Sequence, residues 1–262
     1  MSGAMRRRLQ TWAVPILLAV SWELLTRAGV LDTRFFIPLT EVAASIVTLF
    51  TDGRLSSDLL ATIRRLLAAF GIAAVAGTAI GIASALWRGV ALLVRPIADT
   101  IYPTPKIALL PLLIIIVGLG ETAWIITAFA TAFFQIIIST SASVKDIDPQ
   151  LIEAGRNFGA TGLRFFRRLL LPAMAPGLLN GLRLGMATCL ITLVVVEFVS
   201  AESGLGSIIY RAGQQFAVDE IYAGIVLTGL LGHGINLAFR GLERVLLPWQ
   251  THQSTSTVAT GG

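Results

Sequence analysis

Charge is what this sequence has least of. Only 13% of its 262 residues are charged, against about 25% in a soluble domain, whose surface must be wetted. It holds two lysines, two histidines and one cysteine. The lone Cys189 excludes an intrachain disulfide, and no potential ligands cluster around it. His233 lies in an apolar run between two glycines and reads as a packed helix residue; His252 lies in the tail. A metal site would need further ligands nearby, so none is expected. Lys106 precedes Ile107 and Lys145 precedes Asp146, so neither can end the Gly-x-x-x-x-Gly-Lys-Ser/Thr loop that cradles nucleotide phosphates. The chain is expected to be no enzyme and to hold no cofactor of its own.

What it has in abundance is apolar length. Hydrophobic residues make up 55% of the chain, and its mean hydropathy is +0.80. A membrane-spanning helix needs about 20 apolar residues. Six runs qualify, near 12–28, 66–87, 97–118, 123–139, 175–199 and 221–239. The expected fold is all-α, a polytopic membrane protein with about six transmembrane helices. The opening Arg6-Arg7-Arg8 and its apolar run resemble a signal peptide, but the run continues past Trp22 without a good cleavage pattern, so an uncleaved first span is expected.

The net charge of +5 does not point to nucleic acid, because no basic stripe is interleaved with aromatics. Arginines sit at the ends of apolar runs, as membrane orientation requires. With the N-terminus in the cytoplasm, twelve basic residues fall on that side and six on the other. Both termini are therefore expected inside a bacterial inner membrane. Residues 1–58 read as a first span followed by an amphipathic helix at the outer surface, starting at Pro38-Leu39-Thr40-Glu41. Residues 59–249 read as the main transmembrane domain, and 250–262 as a disordered cytoplasmic tail.

Small residues recur every four positions in two spans: Ala69, Ala73, Gly77, Gly81 and Ala85, then Gly177, Gly181 and Gly185. Such a stripe lets another helix approach closely, either within the protomer, at a dimer seam or along a translocation path. Among ionisable groups in the spans, Lys106, Arg183 and Glu197 are candidates for the substrate pathway. Snorkelling or structural pairing explains Lys106 and Arg183 equally well, and Glu197 sits where it could merely touch headgroups.

Between the fourth and fifth runs lies a segment too charged for lipid and too apolar for a linker. Leu151, Gly155, Phe158, Gly162, Phe165 and Leu169 follow a helical period among four arginines, and Gly159-Ala160-Thr161-Gly162 offers a break. The pattern suits a protein-docking surface or a helical hairpin resting on anionic lipid.

The same residues carry a resemblance. Glu153-Ala154-Gly155, Gly159 and, after nine residues, Leu169-x-Leu171-Pro172 resemble the EAA loop of binding-protein-dependent ABC importer permeases. Gly155 stands where that pattern has Ala, and Leu169 where it has Ile. Pro103-Thr104-Pro105-Lys106-Ile107-Ala108, Gly118-Leu119-Gly120-Glu121 and Ser203-Gly204-Leu205-Gly206 resemble the nitrate, sulfonate and taurine branch. The resemblance implies a cytoplasmic coupling helix formed by Glu153, Ala154, Gly155, Arg156 and Gly159, with Leu169, Leu171 and Pro172 closing the motif and Pro172 ending it before the fifth span. It further implies a cytosolic ABC ATPase that binds ATP and magnesium, a periplasmic or lipid-anchored binding protein, and a second copy of the chain. Two other readings stay open: a secondary transporter driven by an ion gradient, which would show inverted repeats, and an intramembrane enzyme, for which no nucleophile–base or metal constellation is present.

Overall fold

The computed structural model describes residues 3–200 and 202–248, with side chains from residue 13 onward. The expected disordered tail at 250–262 lies outside the described residues. Those described form helices and connecting turns, with no strands among them. In chain order the helices are α1 (Gly3–Arg27), α2 (Leu39–Thr51), α3 (Arg54–Leu86), α4 (Arg88–Ile101), α5 (Leu110–Val117), α6 (Glu121–Lys145), α7 (Pro149–Asn157), α8 (Gly162–Phe165), α9 (Leu171–Ser200), α10 (Leu205–Gln214) and α11 (Val218–Leu246). The described residues form two compact units, one drawn from 3–61 with 197–229, the other from 62–196 with 230–248.

Each of the six apolar runs meets a helix. Among the described residues, four helical segments are long and apolar enough to cross a membrane, or five if one bent pair is counted as a single broken span. The first run lies in α1, whose apolar stretch is cut short by Glu23 and Arg27, ion-paired at 2.6 Å. Val14, Leu17, Leu18 and Leu24 on it are each more than half exposed, as suits a helix facing lipid.

The third run is not one helix, as its unbroken hydropathy suggested. It splits into α4 and a tight helical turn (Lys106–Leu109) leading into α5, and the two halves meet at 89°. Pro103 and Pro105 explain the break. Proline removes a backbone donor and forces the residue before it out of helical geometry, and here two such residues fall within three positions.

In the larger unit, α6 is the element that both small-residue ladders meet. A Cβ added at Gly81 of α3 would fall 2.7 Å from Thr140 Cβ and 2.9 Å from the Ile137 carbonyl oxygen. One at Gly181 of α9 would fall 2.5 Å from Ser139 Cβ, and one at Gly185 2.7 Å from Ile136 Cγ1. These glycines therefore serve packing within the chain: the missing side chains let two helices approach α6 closely. His233, expected to be packed, instead faces outward from α11, and among the described residues no group of ligands could hold a metal ion.

In the smaller unit, α2 begins where its turn residues predicted. Thr40 donates to Glu23 through both its backbone N–H and its hydroxyl, the latter at 2.9 Å. The acidic side chain inside the first apolar run is thus satisfied by the start of the second helix, which needs acceptors for its free N–H groups. Trp22 Nε1 also donates to the Ile37 carbonyl at 2.9 Å.

Candidate functional site

Three places hold the residues singled out by sequence, Arg183 apart: the turn after α6, a cavity at the break between α4 and α5, and a buried node in the smaller unit.

The turn is built from its ends inward. Asp148 caps α7, its carboxylate accepting the Gln150 N–H at 2.8 Å, and Pro149 follows at the first helical position, where no donor is missed. Beneath, Val144, Ile147, Leu170 and Met174 form a buried cluster on which Ile152, Phe165 and Phe166 pack. After α7 the chain turns at Gly159, with φ +77°, and no atom lies within 4 Å of where its Cβ would be. The Ala160 N–H closes the turn on the Gly155 carbonyl at 3.0 Å.

This geometry divides the predicted apolar face in two. Because the helix breaks at 158–161, Gly155 faces Leu169 and Phe165 inside, while Leu151 and Phe158 point out. Phe158 is 91% exposed and Leu163 70%. Glu153, Ala154 and Arg156 are exposed as well. The two departures from the EAA pattern touch each other: a Cβ on Gly155 would collide with Leu169 Cδ1. The smaller residue at one position makes room for the differently branched one at the other.

Pro172 does not end the motif before the fifth span, as expected. Helical structure continues from α8 through a π turn at Phe166–Leu170 into α9. Proline's ring normally collides with the carbonyl one turn earlier. That carbonyl lies here within the widened π turn, which leaves it room.

The polar cavity has a volume of about 380 Å3 and lies between the α4–α5 break, α6 and α9. Lys106 reaches into its wall, only 7% exposed. Its ammonium donates to the Tyr102 carbonyl and stands 5.3 Å from the centre of the Tyr102 ring, a cation–π contact. Among the described residues no carboxylate pairs with it. The Tyr102 hydroxyl donates to Gln135 Oε1 at 2.8 Å, and Gln135 Nε2 donates to Ser139 at 3.0 Å. Thr131 and Thr192 meet at 3.3 Å. The threonines and glutamine were not found by sequence reasoning, because each falls in an apolar helix and only the fold turns them to one side.

The other two pathway candidates are not at this cavity. Arg183 pairs with Glu243 at 3.4 Å and donates to Asn180 at 2.8 Å, so structural pairing accounts for it. Glu197 does not touch headgroups. It is fully buried in the smaller unit and accepts the Gly206 N–H at 3.3 Å. Next to it Asp58 accepts the Gly204 N–H at 2.8 Å and binds Arg211 at 2.6 Å.

A turn presented from between two long apolar helices, and a polar cavity at a broken span, are features of a transport protein. Comparison with known proteins decides which kind. Residues 77–252 match the family described as "Binding-protein-dependent transport system inner membrane component". The chain belongs to this family. The permease is 31% identical to the taurine transport system permease protein TauC of Escherichia coli (strain K12), over 92% of its own length and 89% of TauC. It is 30% identical to the putative aliphatic sulfonates transport permease protein SsuC of the same organism, over 96% of each chain. Its fold is similar to that of the MetNI methionine ABC transporter in an inward-facing conformation, with a TM-score of 0.61 and 25% identity over 72% of this chain and 96% of that one. The permease is thus a multi-pass inner-membrane protein of the taurine and sulfonate branch, as its motifs suggested.

Proposed function

We propose that this permease forms the pathway of an ATP-driven importer for a small anionic solute of the sulfonate, nitrate or taurine type. It acts as a pair with a second copy and couples through residues 153–159 to a separate ABC ATPase, which binds the ATP and magnesium. The observation that carries this reading is the exposed turn. Phe158, 91% exposed beside exposed Glu153 and Arg156, is an aromatic knob on a short helix anchored from below by Ile152. An exposed aromatic knob with a charged rim suits a groove on another protein, since such anchors carry most of the energy of an interface. The orientation that supplies it to a cytosolic partner places both termini in the cytoplasm. A periplasmic or lipid-anchored binding protein delivers solute from the other side. The anionic character of the cargo is supported by the buried Lys106 and by the aliphatic sulfonates named for one relative; the taurine named for another shares the sulfonate group but carries an ammonium as well.

The test is uptake of labelled ethanesulfonate and taurine into proteoliposomes holding the permease with its ATPase and binding protein. Uptake of at least one of them is expected to need ATP and the binding protein and to survive an ionophore that collapses ion gradients. Uptake that survives ATP removal but stops with the ionophore would favour a secondary transporter and overturn the reading.

A further inference from the structure

The Lys106 cavity is unbalanced in charge, and that imbalance has consequences for what can enter it. A cation taken out of water in a membrane protein needs a counter-charge or a full set of acceptors. Lys106 has three N–H donors, of which the structure engages one, on the Tyr102 carbonyl. The second hydrogen of the Gln135 amide has no partner among the described residues, the first being on Ser139. No Asp or Glu lines the cavity. The rest of its wall mixes the apolar Ile107, Ile191 and Val195 with uncharged threonines, Thr104, Thr131, Thr188 and Thr192.

We infer that this cavity is a solute site for a small anion with a short apolar tail, such as an alkanesulfonate, and that it discriminates against zwitterions of the same size. The inference rests on the importer reading and goes further, since it assigns selectivity to the membrane component itself rather than to a binding protein. A sulfonate has three oxygens to accept from the free hydrogens of Lys106 and Gln135. Its ethyl or propyl tail lies against the isoleucines and valine, where removal from water is favourable. The ammonium of taurine would lie in the same place as that tail. With no carboxylate to receive it and the Lys106 charge nearby, it loses its hydration and is repelled. A cavity of about 380 Å3 is within the range of small-ligand sites.

The test is calorimetric titration of the full chain, purified in detergent, with ethanesulfonate, taurine and ethylamine. Ethanesulfonate is expected to bind, taurine to bind at least about tenfold more weakly, and ethylamine not at all, because one unpaired charge is worth at least that factor. Lys106→Met should abolish ethanesulfonate binding, and the milder Gln135→Leu should weaken it. The ligand comparison on the parent chain stands even if a variant fails to fold. Equal or tighter binding of taurine, no binding of ethanesulfonate, or full binding by a folded Lys106→Met chain would overturn the inference. ATP-driven uptake in the reconstituted importer, measured alongside, separates the two levels. If uptake persists while discrimination is absent, the site assignment fails alone; if uptake is itself absent, the importer reading fails.

Discussion

Gly159→Leu is expected to abolish solute uptake while leaving the permease in the membrane at its normal level. Gly159 adopts φ +77°, a region in which an L-residue with a branched side chain costs about 1–2 kcal/mol. The surrounding space is open, since no atom lies within 4 Å of the added Cβ. The penalty therefore falls on the shape of the turn and on whatever approaches it, not on internal packing. Moving the chain at 159 re-aims Phe158, the exposed knob, and breaks the Ala160-to-Gly155 hydrogen bond of 3.0 Å that closes the turn. Because the turn stands outside the spans, insertion should not suffer. Pull-down of the ATPase and uptake are the two readouts, and both should fall at least about tenfold. Gly159→Asn is the internal control, because Asn tolerates the left-handed region, and it should retain most of both. Normal uptake by the Leu variant would remove residues 153–159 from the coupling role and restore the lipid-surface reading.

The second large effect is expected at Glu197, and it concerns stability. Glu197 is wholly buried and accepts the Gly206 N–H, while Gly204, at φ +116°, lies so close that an added Cβ would collide with the carboxylate. The Gly204 N–H is committed to Asp58, which is itself bound to Arg211. Glu197→Leu leaves a buried N–H without its acceptor, at a cost of about 1–3 kcal/mol, and forces a branched carbon against the turn. Gly204→Val adds backbone strain to a direct clash. Both variants should accumulate at reduced levels and unfold at lower temperature in detergent. Gly213→Ala, where nothing lies within 4 Å of the new Cβ, should be nearly neutral in the same assay. An unchanged melting temperature for Glu197→Leu would mean that the carboxylate is kept for a role other than holding the turn.

The sequence made the helices legible because lipid leaves a chain few options. Five of the six apolar runs each lie in a single helix, the third being split between two, and the small-residue ladders pointed correctly to close helix contact. The Gly159-Ala160-Thr161-Gly162 run marked the break between two short helices, and Gly159 turns the chain there at φ +77°. What stayed hidden depends on partners distant in the chain. Pro103 and Pro105 marked a break in the third span locally, but did not show that the two halves would meet at 89°. Nothing near Glu197 revealed that Asp58, far away in sequence, would share with it the task of holding the 204–206 turn. Pro172 misled for a local reason: the rule that proline stops a helix holds for regular α geometry, and the π turn before it is not regular. The Lys106 cavity was half legible, the lysine standing out by its charge and the surrounding threonines and Gln135 being inconspicuous until α6 and α9 were in place.

The account turns on residues 153–161 facing the cytosol and meeting an ATPase there, and one measurement tests that most directly. In a Cys189→Ser background, Thr161→Cys places a single thiol on the exposed side of the turn. A membrane-impermeant maleimide should label it in inside-out vesicles, should fail to label it in intact spheroplasts, and should label it more slowly when the ATPase is co-expressed. Labelling from the periplasmic side, or labelling untouched by the ATPase, would contradict the account.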